Sequence, residues 1–134
     1  MAQRGPLGRL KKDKLTLLVV RHDELVFASD RPGLKPMREL VFAEDEILDG
    51  GDAALPTVGL AAAYLLIHGK VGRVYTWTMS YEARRALDDI GIEYDAETFT
   101  RKLDADEPIA SHDALAREAV SWQAFVEEIK RRST

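Results

Sequence analysis

The sequence predicts an α/β protein with a three-layer α/β/α arrangement, in which helices cover both faces of a mixed β-sheet. Three patterns lead to this prediction. Residues 15–29 have the composition of a β-hairpin. Residues 73–99 read as strand–helix–strand, a unit that joins parallel strands through a right-handed crossover. Residues 50–69 form the least polar stretch, which is typical of a helix buried between other layers.

The composition is that of a single soluble domain. The chain has 134 residues, of which 46% are hydrophobic and 31% are charged. It contains no cysteine, which excludes disulfides, thiolate metal ligands and a cysteine nucleophile, and we expect a cytoplasmic protein. The net charge of −4 makes nucleic acid an unexpected partner. No apolar run approaches membrane-spanning length, so we expect no membrane contact either.

The start of the chain is basic, and we separate residues 1–14 from a single domain at 15–134. An arm that binds nucleic acid would interleave aromatic side chains with its cations, and this segment has none. A flexible, solvated terminus is therefore favoured. Leu7 and Leu10 leave open the alternative of a short helix.

The predicted hairpin consists of LTLLVVRH (15–22) and ELVFAS (24–29). Its first segment is almost continuously apolar, as expected of a strand covered on both faces. After the break SDRPGLKP, residues 37–48 carry apolar side chains at helical spacing. Pro36 is placed to start this helix and Gly50 to end it.

The apolar stretch GGDAALPTVGLAAAYLLIHG (50–69) has no charged side chain between Pro56 and His68. We therefore predict a central buried helix there, whose small residues allow it to lie close to the sheet. The glycine pair at its start is a weak signal for phosphate binding, because Asp49 and Asp52 would repel an anion. A turn between two helices is favoured at that point.

The second half of the chain supplies the strand–helix–strand unit. RVYTWTM (73–79) reads as a strand, and SYEARRALDDIG (80–91) reads as a helix with Ser80 as N-cap and Gly91 as C-cap. IEYDAETF (92–99) alternates as a strand does and is compatible with a sheet edge. A final helix is predicted from about Ala114 to Arg132.

The loop before the first long helix is the main candidate for ligand binding. Two prolines stiffen it, a glycine permits a positive φ, and cations lie where it meets a helix N-terminus. Backbone N–H groups together with cations are what an anion such as a nucleotide phosphate requires. The alternative is a rigid turn with solvated charges. The candidate binding residues are Ser29, Arg31, Gly33, Lys35 and Arg38.

The start of the helix after 73–79 is a second candidate, through Thr78, Ser80 and Glu82. Ser80 is first of all an N-cap, and Glu82 a favourable charge in the first helical turn. Arg84 and Arg85 oppose the helix dipole at this position, which hints at an anion nearby. Surface salt bridges with the acids one turn later are the favoured explanation.

Metal and cofactor sites are not expected. The three histidines, at 22, 68 and 112, are scattered and have no spacing typical of metal ligands. No nucleophile-elbow motif accompanies a serine. The sequence therefore predicts no metal and no cofactor.

Three segments carry a resemblance to a known family: LVFASDRPGLKPM, VGLAAAYLLIHGKVGRVY and TMSYEA. They resemble stretches of a prokaryotic domain-of-unknown-function family whose fold is similar to that of the cytidine-deaminase superfamily. The resemblance runs from about Leu15 to the last helix, and its most specific parts are SDRPGLKP and VGLAAAYLL. It implies a diverged cytidine-deaminase-like fold.

Zinc-dependent deamination needs residue types that this chain lacks. One helix must supply a His or Cys ligand with a Glu two residues later, and the next must begin with Pro-Cys-x-x-Cys. Here the first helix reads TVGLAAAYLL, without any such side chain, and the second begins MSYEARR, without cysteine. The resemblance therefore implies the architecture of a deaminase without its zinc chemistry.

We expect a catalytically inactive module that binds a small anionic metabolite, with a nucleotide as one candidate. The ligand would lie between the SDRPGLKP loop and the TMSYEARR helix start. Two alternatives stay open. One is a protein–protein interaction module, such as a homodimer joined through the exposed part of the sheet or the last helix. The other is an enzyme with metal-free acid–base chemistry at Glu82 or Asp30.

Overall fold

The structure is a computed structural model that describes residues 5–43, 46–103 and 109–132. The described chain contains five strands and six helices. Their order is α1 (Gly5–Lys12), β1 (Leu17–Arg21), β2 (Glu24–Ser29), α2 (Lys35–Phe42), β3 (Asp52–Val58), α3 (Leu60–His68), β4 (Arg73–Ser80), α4 (Tyr81–Ile90), β5 (Glu93–Thr100), α5 (Ile109–Glu118) and α6 (Trp122–Arg132).

The five strands form one mixed sheet in the order β2-β1-β3-β4-β5. β1 pairs antiparallel with both β2 and β3, whereas β3, β4 and β5 run parallel. The predicted hairpin and the predicted strand–helix–strand unit are both present, and β5 is an edge strand. The prediction of an α/β fold with a mixed sheet and helices on both faces is confirmed.

The prediction for residues 50–69 was wrong in its first half. Asp52–Val58 is the central strand β3, and the helix α3 begins only at Leu60. The alanine-rich composition favours a helix, but pairing with β1 on one side and β4 on the other overrides that preference. Pro56 is tolerated because the pairing with β1 ends at Ala54, before the missing N–H group would be needed.

Two predicted helices differ in their bounds. The helix after the loop ends at Phe42 rather than near Gly50; residues 47–50 form turns, and 44–45 lie outside the described residues. The predicted final helix is divided into two helices, because the helical conformation is interrupted between Glu118 and Trp122. Ser121 restarts the helix as a local cap, its Oγ accepting a hydrogen bond from the N–H of Ala124 at 3.1 Å.

Each face of the sheet has its own apolar cluster. On one face, residues such as Val19, Leu55 and Val74 pack against α2 to α6, and α3 lies at the centre of that layer with every residue except Tyr64 and His68 buried. The other face is covered by α1, through Leu7 and Leu10. Residues 5–12 therefore adopt the helical alternative, and Leu10 is fully buried. No helix in the described ranges has the length and apolarity needed to cross a membrane.

The left-handed C-cap of α4 at Gly91 can be tested by substitution. It is the predicted C-cap, with φ of 90°, and its N–H donates to the carbonyl groups of Leu87 and Asp88. A Cβ there would meet open space. We expect Gly91→Ala to lower the free energy of unfolding by about 1 kcal/mol through backbone strain alone. Urea unfolding measures this, with Gly91→Asn as the matched variant because Asn adopts positive φ more readily. Equal stability of wild type and Gly91→Ala would contradict the left-handed cap.

Candidate functional site

The starts of α3 and α4 lie side by side at one edge of the sheet, since Val58 at the end of β3 is paired with Met79 near the end of β4. The carboxyl ends of parallel strands are a common place for ligands in α/β proteins. The two helix starts are built differently. α4 has a local cap, whereas α3 is capped from a distant part of the chain.

Ser80 is occupied by its role as the cap of α4. The residue is 3% exposed, and its Oγ accepts a hydrogen bond from the N–H of Ala83 at 3.1 Å. Thr78, two residues earlier, is half-buried between Thr57 of β3 and Thr98 of β5. The first role of Ser80 and Thr78 is therefore structural: they form part of the junction between β4 and α4.

The start of α3 has no side-chain cap of its own, because the N-cap residue is Gly59. Asp113 of α5 supplies the missing acceptor: its Oδ1 accepts a hydrogen bond from the N–H of Ala61 at 2.9 Å. A Cβ at position 59 would collide with the Asp113 carboxylate. Glycine therefore gives the carboxylate access to the helix start.

Asp113 is the described carboxylate whose environment is the most unusual. The residue is only 5% exposed. Burial raises the pKa of Asp113 above its ordinary value, and the nearby Glu82 adds to the rise, while the Ala61 N–H and Arg117 oppose it. Sequence reasoning missed this residue, since its partner lies 52 positions away.

A groove separates α4 from α5 beside this cap. The Nε of Arg117 donates to both carboxylate oxygens of Glu82, at 2.8 and 2.9 Å, and this ion pair bridges the two helices. Glu82, predicted as a binding residue, is thus held by an arginine that the sequence did not point to. The groove has a cavity of about 590 Å³, and the residues that line it include Leu60, Tyr64, Tyr81, Glu82, Arg85, Asp89 and Arg117. It contains cations and anions in equal number.

The predicted binding loop is held in one shape by its own hydrogen bonds. The N–H of Arg31 donates to Ser29 Oγ at 3.2 Å, and the hydroxyl of Thr16 donates to the carbonyl groups of Ser29 and Arg31. Gly33 has φ of 78°, the left-handed conformation that its place in the loop requires. The loop leads directly into α2, of which Lys35 is the first residue.

The charged side chains near α2 are divided into paired and unpaired groups. The Arg31 guanidinium forms two hydrogen bonds to the Glu39 carboxylate, and this bonding lowers the pKa of Glu39. Lys35 and Arg38 have no ion pair among the described residues. Together with Arg132 from the end of α6, they line a cavity of about 470 Å³ that also includes Glu39 and Phe42.

The two predicted halves of the site do not share a cavity in the described structure. β1 and β3 separate β2, which leads into the loop, from β4, which leads into α4. Three strand spacings of about 4.8 Å give roughly 14 Å across the sheet. Lys35 and Arg38 line one cavity and Glu82 lines the other. Sequence reasoning missed Arg132, which the fold brings beside the loop from the far end of the chain.

No group of three or more His, Asp or Glu side chains within the described ranges is arranged to hold a metal ion. His68 is exposed at the end of α3, where its ring packs against two aromatic side chains. Its ring lies 5.7 Å from that of Phe42 and 6.5 Å from that of Trp122, centroid to centroid. Burial lowers the pKa of His68, which favours the neutral ring near neutral pH.

Comparison with known proteins identifies a family and a fold. The sequence pattern of the family described as "TM1506: Domain of unknown function (DUF1893)" matches residues 7–100, which extend from α1 to β5. A crystal structure of a DUF1893 family protein (TM1506) from Thermotoga maritima superposes with a TM-score of 0.82. The two sequences are 21% identical over 94% of this chain and 86% of that one, so this likeness establishes the fold alone. No curated protein matches the chain significantly.

The role of Asp113 as the cap of α3 predicts how two substitutions at this position change the stability of the protein, and how that change depends on pH. Asp113→Ala removes the cap of α3 and should lower the free energy of unfolding by about 1–2 kcal/mol, whereas Asp113→Asn keeps an oxygen acceptor for the Ala61 N–H. Because the pKa of Asp113 is raised on folding, its contribution is greatest below its ordinary value of 3.8 and declines as the pH rises through the folded-state value. Asn does not ionise, so Asp113→Asn should gain stability relative to wild type as the pH rises.

Urea unfolding of the wild type and both variants between pH 4 and 8 measures this difference. The comparison with Asp113→Asn cancels the titration of all other carboxylates. Equal losses of stability in Asp113→Ala and Asp113→Asn would contradict the assigned cap, and a difference between wild type and Asp113→Asn that does not change with pH would contradict the raised pKa of Asp113.

Proposed function

The chain belongs to the DUF1893 family, and on that premise we propose that it is a non-catalytic module that binds a small anionic metabolite at the start of α2. Nucleotides and other phosphorylated compounds are the proposed class of ligand. The observation that carries the proposal is the convergence of Lys35, Arg38 and Arg132 on one cavity, where the carboxylate of Glu39 is already neutralised by Arg31.

The charge arrangement at α2 is the reverse of what helix stability favours. The first turn of α2 contains no acidic residue, and its N-cap, Leu34, offers no side-chain acceptor. Lys35 and Arg38 instead add positive charge to the positive pole of the helix dipole. A bound anion would reduce the repulsion between these cations and the helix dipole, and it would accept hydrogen bonds from the backbone N–H groups that have no partner at this end. This arrangement supports binding over a turn with solvated charges.

The cavity suits a small ligand rather than a polymer. Its volume of about 470 Å³ lies within the range of small-molecule sites. Phe42 offers an apolar contact beside the cations, which a phosphorylated organic compound would use and inorganic phosphate would not. The guanidinium of Arg38 can present two N–H donors to a phosphate. Arg132 already donates from its Nε to the Glu128 carboxylate at 3.0 Å, so it would offer its remaining N–H groups.

We also propose that the fold is a diverged relative of the cytidine deaminases that has no zinc site. The lack of a zinc site is supported by the absence of cysteine and by Met79, Ser80, Tyr81 and Glu82 at the strand-to-helix junction where zinc thiolates would be expected. The relation to the deaminases rests on the resemblance of the sequence. Neither acid–base candidate suggests an alternative chemistry. Glu82 is bound to Arg117, and Asp30 is exposed at the rim of a loop.

The proposal predicts ligand-induced stabilisation that depends on named cations. Pyrophosphate and adenosine nucleotides at about 100 times their Kd should stabilise the fold by ~2.7 kcal/mol, which corresponds to a Tm increase on the order of 5–10 °C. Lys35→Ala and Arg38→Ala should lose most of this increase. Arg101→Ala, which removes an exposed cation beyond the other edge of the sheet, is the matched control and should retain it. Sodium chloride at equal ionic strength controls for screening.

The pair formed by Arg31 and Glu39 allows a sharper version of this experiment. Arg31→Ala leaves the Glu39 carboxylate unneutralised and should weaken anion binding, whereas Glu39→Gln should strengthen it. The double variant should return close to the wild-type affinity, because both charges are gone together. An unchanged Tm increase in Lys35→Ala and Arg38→Ala, or weaker binding in Glu39→Gln, would refute a site at α2.

A further inference from the structure

The face of the sheet that carries α1 has a second, open strip beside that helix. α1 packs through Leu7 and Leu10 onto Leu18 of β1 and Ala54 of β3. Tyr75 and Trp77 of β4 extend from beneath it and are only half-buried. The strip formed by β4 and β5 is about 10 Å wide, which is the diameter of one α-helix.

The outer side of this strip is acidic. Glu93, Asp95 and Glu97 alternate along β5 and therefore project from one face. The register pairs Asp95 with Tyr75, which places the acidic row on the α1 face of the sheet. All three acidic residues are exposed. Glu93 is paired with Arg73 of β4 at 3.2 Å, and the Arg73 guanidinium also lies over the Tyr75 ring, whereas Asp95 has no ion pair within the described part of the chain.

α1 next to the strip is basic. It contains no acidic residue in its first turn and ends in Arg9, Lys11 and Lys12, with Lys14 directly after it. Arg9 forms an ion pair with Asp13 at 3.5 Å. Lys11, Lys12 and Lys14 are exposed and have no ion pair in residues 5–43, 46–103 and 109–132.

A basic helix and an acidic strip one helix wide thus lie side by side on the same face. We propose that this face binds a second copy of the chain, with α1 of each protomer seated on the β4–β5 strip of the other. A two-fold axis satisfies both contacts at once, since the same patch is used on both subunits. Tyr75 and Trp77 would supply the apolar centre and the opposite charges the rim.

The acidic side chains of β5 make a second mode of dimerisation unfavourable, in which the β5 strands of two copies would pair edge to edge. Charged side chains along an edge strand oppose the addition of another strand. β5 therefore contributes through its face rather than through its free backbone edge. This dimer uses a different part of the molecule from the anion site at α2, and it does not depend on that proposal.

Charge-reversal variants distinguish the proposed dimer from non-specific self-association. The basic half is reversed in Lys11→Glu/Lys12→Glu, and the acidic half in Asp95→Lys/Glu97→Lys. Each variant alone places like charges opposite each other and should weaken self-association at least tenfold. A mixture of the two variants places opposite charges at both contacts, so a heterodimer should form. Arg101→Glu/Lys102→Glu has the same net charge as the first variant and should dimerise like wild type.

Sedimentation velocity at 50 mM salt, from 5 µM to 500 µM protein, measures these states, with circular dichroism to establish that each variant is folded. We expect wild-type dimers that weaken at 500 mM salt. A monomeric wild type over the whole range would overturn the proposal. So would a wild-type dimer that both reversals leave intact, or variants that fail to associate when mixed although the wild type dimerises.

Discussion

The hydrogen bond from the Ala61 N–H to the Asp113 carboxylate is the constraint on which the arrangement of α3, α4 and α5 depends. α3 is the centre of the helical layer, and its N-cap position offers no side chain. A buried acceptor from α5 replaces the local cap and fixes α5 against the start of α3. Arg117, one turn further along α5, is thereby placed to bind Glu82 of α4. One long-range contact thus positions three helices around the groove.

Local rules predicted the parts of the fold that depend on neighbours in sequence. Ser80 caps α4 and Gly91 ends it in the left-handed conformation, because both roles need only a few adjacent residues. β3 was missed because its composition and Pro56 favour other structures when its partners are unknown. The pairing that makes it a strand comes from residues at 18–20 and 73–79, and no local pattern identifies that.

The candidate site divides in the same way. The loop geometry, with Gly33 at positive φ and Lys35 at the start of α2, follows from local sequence. The neutralisation of Glu39 by Arg31 and the arrival of Arg132 depend on how α2 and α6 lie in the fold. The sequence predicts one site that combines these cations with the start of α4, whereas the structure places Lys35 and Arg38 in one cavity and Glu82 in another. The predicted site also includes Ser80, which a strand order of β2-β1-β3-β4 places on the far side of two strands.

An anion bound at the start of α2 and an anion bound at the start of α4 would affect different backbone amides. A titration of ¹⁵N-labelled protein with pyrophosphate, followed by amide chemical shifts, distinguishes the two places directly. Binding at the start of α2 predicts saturable shifts at Lys35, Met37 and Arg38, and small ones at Tyr81 and Glu82. Shifts concentrated at Tyr81 and Glu82, or no saturable shift at the α2 amides at millimolar pyrophosphate, would contradict it.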